Sequence, residues 1–313
     1  MERYVLNRLL QLVPVLFLIS LIVFGVMHLL PGDPALLMLA GAEGGAITPE
    51  RLDELRQQMG LNDPLPAQYL HFVINALQGD LGSSVRFQVP VTELIGDRFG
   101  STLQLAVTGL MVAIAIGLPL GMVAAARKGG WMDTLCMTLS YVGSSMPVYW
   151  LGLLLILLFS FTLHWFPSAG SSGWRSMVLP AVTLGLLSAG VLARLIRSSM
   201  LEVGTEDYMR TAHAKGLPVG LVILRHGLKN AMIPVLTMIG LQFGALLAGT
   251  VVTETVFSRP GLGRLIVNAI LSKDYPLVQG AILFLAVVYL LVNLAVDIAY
   301  AWLDPRIRYG KQG

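Results

Sequence analysis

The chain has 313 residues, of which 55% are hydrophobic and only 12% charged, and its mean hydropathy is +0.74. A soluble domain carries about 25% charged residues, so this chain cannot cover itself with a polar surface. The net charge is only +3 and the basic residues stand at the ends of apolar runs, which argues against nucleic acid as a partner. The single cysteine, Cys136, excludes an intramolecular disulfide framework and a multi-cysteine metal site.

Apolar runs long enough to cross a bilayer recur along the sequence. A membrane-spanning helix needs about 20 predominantly apolar residues, and by that criterion we predict about six spans. The predicted spans are 9–30, 102–126, 134–163, 177–200, 231–253 and 279–303. The first run is longer than the core of a signal peptide, about 7–15 residues, and no A-x-A cleavage site follows it. The sequence therefore predicts an all-α membrane protein whose N-terminal part, 1–30, is a retained first span.

The distribution of Lys and Arg predicts the orientation of these spans. With the N-terminus inside, 13 of the 21 basic residues fall on the cytoplasmic side. Four of the remaining eight lie in the long segment 31–100, and long loops obey this rule weakly. We therefore expect both termini, including the tail 304–313, to be cytoplasmic.

Segment 31–100, which this orientation places outside the membrane, contains signals for two short helices. Thr48 before Pro49 is typical of an N-cap followed by proline at the first helical position, and Gly60 is a stop signal. Asp63-Pro64 and Gly79 repeat the two signals. The sequence predicts helices at about 49–59 and 64–78 that form a small cap over the outer mouth, with faces packed on each other or on the spans.

The loop 201–230, between the fourth and fifth predicted spans, carries a third short helix. Thr205 is a favourable N-cap, and Glu206 and Asp207 place negative charge on the first turn. Lys215 lies on the last turn and Gly216 ends the helix. A helix of about ten residues is too short to span the membrane and too short to be stable alone in water.

Such a helix needs a surface to lie against, and two surfaces are available. One is the lipid headgroup region. Its face, however, carries Tyr208, Met209, Thr211 and Ala212, which are too small and too polar for strong insertion, so a protein groove is the better partner. No G-x-x-x-x-G-K-[ST] motif occurs in the chain. The sequence therefore predicts that the chain is not itself an enzyme and that a separate protein supplies energy through this helix.

The stretch from Arg210 to Gly216 resembles the "EAA" loop of binding-protein-dependent ABC importers. Arg210 and Thr211 stand where Glu and Ala are usual, and His226 and Lys229 also depart from the general pattern. These departures resemble the dipeptide, oligopeptide and nickel permeases, in their first-permease (B-type) subunit. Further matching motifs follow in the family's order: Leu30 to Pro34, Leu61 to Pro64, Gly79 to Ser84, Ser145 to Pro147, Leu179 to Ala181, Pro260 to Arg264, Asp274 to Pro276 and Asp304 to Arg308.

The resemblance implies a type I ABC importer permease fold, with a permease core at 101–303, in a bacterial inner membrane. It implies four kinds of partner: a homologous second permease, two ABC ATPase subunits, an extracytoplasmic substrate-binding protein and membrane lipid, with no cofactor and no metal site. The loop helix would be the coupling helix that contacts the ATPase. Its candidate residues are Thr205, Glu206, Asp207, Tyr208, Met209, Arg210, Thr211, Ala212, Lys215 and Gly216.

Charged residues in or beside the spans are candidates for further roles. Glu254, Arg259 and Arg264, near the outer end of the fifth span, are candidates for a gate or for contact with the binding protein. Arg194 and Arg197, late in the fourth span, are expected to reach the headgroups or to pair with acids.

Several alternatives remain open at the level of sequence. An ion-coupled secondary transporter would favour ionisable residues at mid-membrane, where this chain has almost none. An intramembrane enzyme is disfavoured because neither H-E-x-x-H nor G-x-S-x-G occurs. Within the permease family, the leading expectation for the cargo is a dipeptide or oligopeptide. The alternatives are glutathione and a nickel chelate, and the short segment 164–176 weakens a narrow dipeptide assignment.

Overall fold

A computed structural model describes residues 2–29, 35–36, 39, 48–58, 60–216, 218, 222 and 227–303. The tail 304–313, which contains the motif from Asp304 to Arg308, lies outside the described residues. The motif from Leu30 to Pro34 and the residue His226 also lie outside them. The described chain is all-α, with a single isolated bridge between Ser83 and Pro90. Its helices are α1 Glu2–Leu29, α2 Pro49–Gln58, α3 Leu65–Leu77, α4 Val91–Ala126, α5 Trp131–Ser145, α6 Val148–Leu155, α7 Arg175–Val203, α8 Asp207–Ala214, α9 Leu228–Val256, α10 Leu262–Leu271 and α11 Tyr275–Leu303.

Five of these helices are long and apolar enough to cross a membrane: α1, α4, α7, α9 and α11. A sixth candidate is the pair formed by α5 and α6, where α6 continues as a π-helix over Ile156–Thr162. The pair, which corresponds to the predicted span 134–163, is bent by 106°. The break falls where Met146 adopts an extended conformation before Pro147, because a residue that precedes proline is disfavoured in the helical region.

The contacts divide the chain into two compact units, the first comprising Met1–Ser101 and Pro260–Leu291. In this unit α3 packs on α1 through a group of aromatic side chains. Tyr69 makes edge contacts with Phe17 and Phe24, and its hydroxyl lies 2.8 Å from Ser20 Oγ. The prediction that a face of this short helix packs on a span is confirmed.

Three of the four predicted end signals of the short helices in this unit are confirmed, whereas α3 follows Pro64 without a side-chain cap from Asp63. The N–H of Arg51 donates to Thr48 Oγ1 at 3.4 Å, as an N-cap requires. Gly60 and Gly79 have φ values of +67° and +83°, a conformation that glycine adopts without a Cβ penalty. A buried apolar cluster then joins the start of α4 to α10 and to the start of α11, with Val91, Leu262 and Leu277 fully buried.

The second unit comprises Thr102–Arg259 and Val292–Gly313, and α7 is its central helix. About the middle of α7 the neighbouring helices approach very closely. A Cβ added to Gly117 or Gly121 of α4 would lie 2.8 Å or 2.6 Å from a backbone carbonyl oxygen of α7. These two glycines form a small-residue face of α4 that contacts α7, and the absence of side chains there allows the two backbones to meet.

Candidate functional site

The short helix in the loop after α7 is present, but it begins later than predicted. It runs over Asp207–Ala214, eight residues rather than about ten. Thr205 does not act as its N-cap, because its hydroxyl donates at 2.7 Å to the carbonyl of Glu202 in the last turn of α7. The carbonyl of Glu206 accepts the first N–H groups of α8 instead. Gly216 ends the helix as predicted, with φ +73°.

One face of α8 packs inward, against the chain itself. Met209 and Ala212 are 4% and 6% exposed and form a cluster with Val222 and Val203. Gly227 also lies against this face, since a Cβ at that position would be 3.4 Å from Met209 Cε. The sequence interpretation placed Met209 and Ala212 on the face offered to a partner, and the structure corrects it. These two side chains attach α8 to its own loop.

The opposite face of α8 is polar and open. The side chains of Asp207 and Arg210 are 98% and 77% exposed, with a loose ion pair of 3.6 Å between Asp207 Oδ1 and Arg210 Nη1. Tyr208 is 40% exposed, and its hydroxyl accepts a hydrogen bond from Asn230 Nδ2 at 2.8 Å. Thr211 is exposed and donates to the carbonyl of Asp207. This face offers hydrogen bonds and charge to a protein and little apolar surface to a membrane.

The helix that leads into this loop is locked to its neighbour by two arginines. Arg197 donates two hydrogen bonds to the carboxylate of Asp133 on α5, at 2.6 and 2.7 Å, so the predicted pairing with an acid is confirmed. Arg194 donates to Ser144 Oγ at 2.9 Å, and its guanidinium lies 5.0 Å from the ring centroid of Tyr141. These two arginines therefore join α7 to α5 before the chain enters the loop.

The candidates near the end of α9 are buried. Glu254 is fully buried, and its carboxylate accepts the hydroxyl of Thr102 on α4 at 2.6 Å. Arg259 is 3% exposed and donates to Gln104 Oε1 at 3.1 Å. Burial lowers the pKa of Arg259, and the charge of Glu254 opposes that shift. In the first unit, Arg264 is half-buried. Buried side chains offer no surface to a binding protein, so the gate is the role still open to Glu254 and Arg259.

Sequence reasoning missed one polar centre, which lies in the first unit. The buried carboxylate of Asp274 accepts the hydroxyl of Ser84, with the N–H groups of Val85 and Arg86 at 3.1 and 3.2 Å. It also caps α11 through the N–H of Leu277 at 3.4 Å. The motifs Gly79 to Ser84 and Asp274 to Pro276 were identified separately, and the structure brings them together. Asp before Tyr-Pro is an N-cap signal that the sequence offered.

Comparison with known families assigns the class of this protein. A family model described as "Binding-protein-dependent transport system inner membrane component" matches residues 117–309, and its N-terminal companion matches residues 1–106. The chain belongs to this family and is a permease subunit of an ABC importer. In such an importer ATP hydrolysis lies in separate subunits, so the chain is not itself an enzyme.

Relatives with assigned names match over the whole chain. The glutathione transport system permease protein GsiC of Escherichia coli O6:H1 (strain CFT073) is 48% identical over 309 residues, which cover 99% of this chain and 100% of that protein. The GsiC proteins of Escherichia coli K12 and Salmonella typhimurium LT2 are 47% identical with the same coverage.

Solved structures of ABC transporters share the fold. The inward-facing MetNI methionine ABC transporter has a TM-score of 0.59 at 16% identity, and the match covers 67% of this chain and 96% of that one. An amino acid ABC transporter crystallised with histidines has a TM-score of 0.52 at 15% identity, with 69% and 94% covered. Both matches confirm the type I importer permease fold.

Proposed function

We propose that this chain forms half of a translocation pathway in the bacterial inner membrane, with both termini in the cytoplasm. The other half is a homologous second permease, two ABC ATPase subunits supply energy, and an extracytoplasmic substrate-binding protein delivers the cargo. The family supports this assembly, and the excess of Lys and Arg in the loops assigned to the inside supports the orientation. In this orientation α8 faces the cytoplasm.

The segment from Thr205 to Gly216 is the coupling element that the ATPase moves. The observation that supports this role is the division of α8 into two faces. Met209 and Ala212 fix the helix to its loop, while Asp207, Tyr208 and Arg210 remain open to a partner. A helix has fully bonded backbone groups in its interior and moves as one body. The paired arginines of α7 would then pass this motion to the spans.

Replacing Ala212 with proline tests the coupling role. Proline in a helix interior removes a hydrogen bond and clashes with the preceding turn, at a cost of about 3 kcal/mol or more. We expect ATP-dependent uptake in vesicles containing the complete transporter to be lost, while the variant still inserts and assembles. The matched control is Ala212→Ser, because serine keeps the backbone N–H that proline removes and is tolerated in a helix interior. Uptake by Ala212→Pro at the level of the control would refute the role.

Cysteine labelling tests which partner covers the open face. The native Cys136 is buried, so an introduced thiol can be read with little background. Cysteines at Tyr208 and Arg210 should cross-link to an ATPase subunit and be shielded from a water-soluble reagent when it is present. A cysteine at Leu77, 83% exposed on α3, is the control and should react equally with and without the ATPase. If the ATPase changed the labelling of none of the three cysteines, the lipid surface would be favoured as the partner of α8.

The cargo proposed here is glutathione or a peptide of similar size. The observation that favours glutathione over other peptides and nickel chelates is the 48% identity to GsiC across the full length of both proteins. ATP-dependent uptake of labelled glutathione, measured with the chain, its partner subunits and its binding protein, should exceed uptake of dipeptides and of a nickel chelate. Preferential uptake of a dipeptide would contradict glutathione as the cargo and would favour a dipeptide or oligopeptide instead.

A further inference from the structure

The loop between α4 and α5 forms a small open pocket. Its lining residues are Ala126, Arg127, Lys128, Gly130, Trp131 and Met132. Arg127 and Lys128 are exposed. Among the residues that the structure describes, neither cation takes part in an ion pair. Two uncompensated positive charges therefore stand on one short turn at the end of a membrane-spanning helix.

The nearby acid does not neutralise these charges. Asp133, in the first turn of α5, receives two hydrogen bonds from Arg197 and one from the N–H of Gly129, at 3.0 Å. Its charge is matched by the guanidinium of Arg197. Gly129 itself has φ +75°, so this turn depends on a glycine as well as on the carboxylate. The acid and the glycine hold the loop in the shape that presents Arg127 and Lys128.

The start of α5 adds donors to the same pocket. Gly130 occupies the N-cap position of this 15-residue helix and provides no side-chain cap. The first N–H groups of a helix have no acceptor within it, and the helix dipole favours negative charge there. Trp131, the first helical residue, is 72% exposed. Tryptophan is enriched where the membrane meets water.

We propose that this pocket binds the headgroup of an anionic phospholipid. The phosphate would lie against Arg127, Lys128 and the first turn of α5. An exposed apolar stripe then continues from Trp131 along one face of α5 through Leu135 and Leu139, which are 48% and 53% exposed. The spacing of four residues places these side chains above one another, as an acyl chain requires. A free phosphate would not use this stripe, and an acidic protein surface would not follow it into the membrane.

Native mass spectrometry of the complete detergent-solubilised transporter tests the proposal. Dioleoyl phosphatidylglycerol and dioleoyl phosphatidylcholine, which differ only in the headgroup, are titrated separately. A basic residue near an anionic lipid contributes about fivefold in affinity. Two basic residues should therefore make the first bound phosphatidylglycerol about 25-fold tighter than the first bound phosphatidylcholine. Arg127→Gln and Lys128→Gln should each lower this preference by about fivefold.

The matched control is Arg175→Gln. Arg175 is also exposed and lies 5.7 Å from the ring centroid of an exposed tryptophan, Trp174, but it does not line this pocket. Its substitution should leave the preference unchanged. An unchanged preference in both pocket variants, or an equal loss in the control, would overturn the proposal.

Two further measurements separate the possible occupants. Glycerol phosphate at the lipid concentration should not displace phosphatidylglycerol, and if it did, the site would bind free phosphate esters rather than a lipid. The permease pair without its ATPase subunits should show the same preference as the full complex. A preference found only without the ATPase would identify that subunit as the occupant and refute the lipid site.

Discussion

Each compact unit buries an aspartate at the start of a helix, but the two carboxylates are held by different kinds of donor. In the first unit, Asp274 is 1% exposed and accepts one hydroxyl and three backbone N–H groups. No described Lys, Arg or His pairs with it. In the second unit, Asp133 is 5% exposed and is held mainly by the guanidinium of Arg197.

The two carboxylates differ in whether their donors can change partners. Backbone N–H groups are fixed by the path of the chain, so the donors around Asp274 cannot turn to another acceptor. Arg197 has a long side chain that is 30% exposed, and it can redirect its charge toward water or headgroups. Asp274 also joins chain segments 190 residues apart, whereas Asp133 and Arg197 join neighbouring helices. We therefore expect Asp274 to matter more for the fold.

The largest effect is expected for Asp274→Ala. The substitution leaves several buried donors without an acceptor, and each such donor costs about 1–3 kcal/mol. Allowing for water at the half-buried N–H of Arg86, the loss in the free energy of unfolding should be about 3–5 kcal/mol. The measurement is denaturant unfolding of the purified permease in detergent.

Two variants act as controls for that measurement. Ser84→Ala removes one donor to Asp274 and the acceptor of the part-buried N–H of Phe87, so it should cost about 1–2 kcal/mol. Asp80→Ala changes an exposed acid in the same loop, one that accepts the N–H of Gly82, and should cost less than Asp274→Ala. If Asp274→Ala were no more destabilising than Ser84→Ala, the account of Asp274 as a multiple acceptor would be wrong.

A smaller effect is expected when the ion pair of the second unit is broken. Asp133→Ala should lower the melting temperature by about 2–4 °C, because Arg197 is left to find other partners. Arg197→Met added to Asp133→Ala should restore part of the loss, since the unpaired charge is then removed. The four proteins of this cycle are compared by thermal unfolding in one detergent. Strict additivity of the two substitutions would show that the pair contributes no interaction of its own.

The sequence predicts the ends of helices better than it predicts the contacts of Asp274, for a physical reason. Local signals such as Thr48, Gly60 and Gly216 act on the few residues beside them, and the structure confirms each one. The contact between Ser84 and Asp274 depends on the tertiary fold, and no local pattern contains it.

The loop that carries α8 shows the same limit within a few residues. A threonine followed by two acids predicts an N-cap, yet the hydroxyl of Thr205 bonds back to the helix before it. The carbonyl of Glu202, which also accepts the N–H of Thr205, lies within its reach. The inward turn of Met209 and Ala212 could not be read from α8 alone, since it depends on burial beside Val203 and Val222. The sequence located the short helix α8, and packing decided which of its faces remained open.

The smallest effect on stability is expected at a third aspartate that starts a helix, Asp207. It resembles Asp133 in having an arginine beside it, but its side chain is 98% exposed and its pair with Arg210 is 3.6 Å long. Exposed pairs contribute little because water and salt screen them, so Asp207→Ala should change the melting temperature by less than about 1 °C. The same variant should lower ATP-driven uptake several-fold if its face contacts the ATPase. A melting temperature that fell as far as in Asp133→Ala would show that position at a helix start, and not burial, sets the importance of these acids.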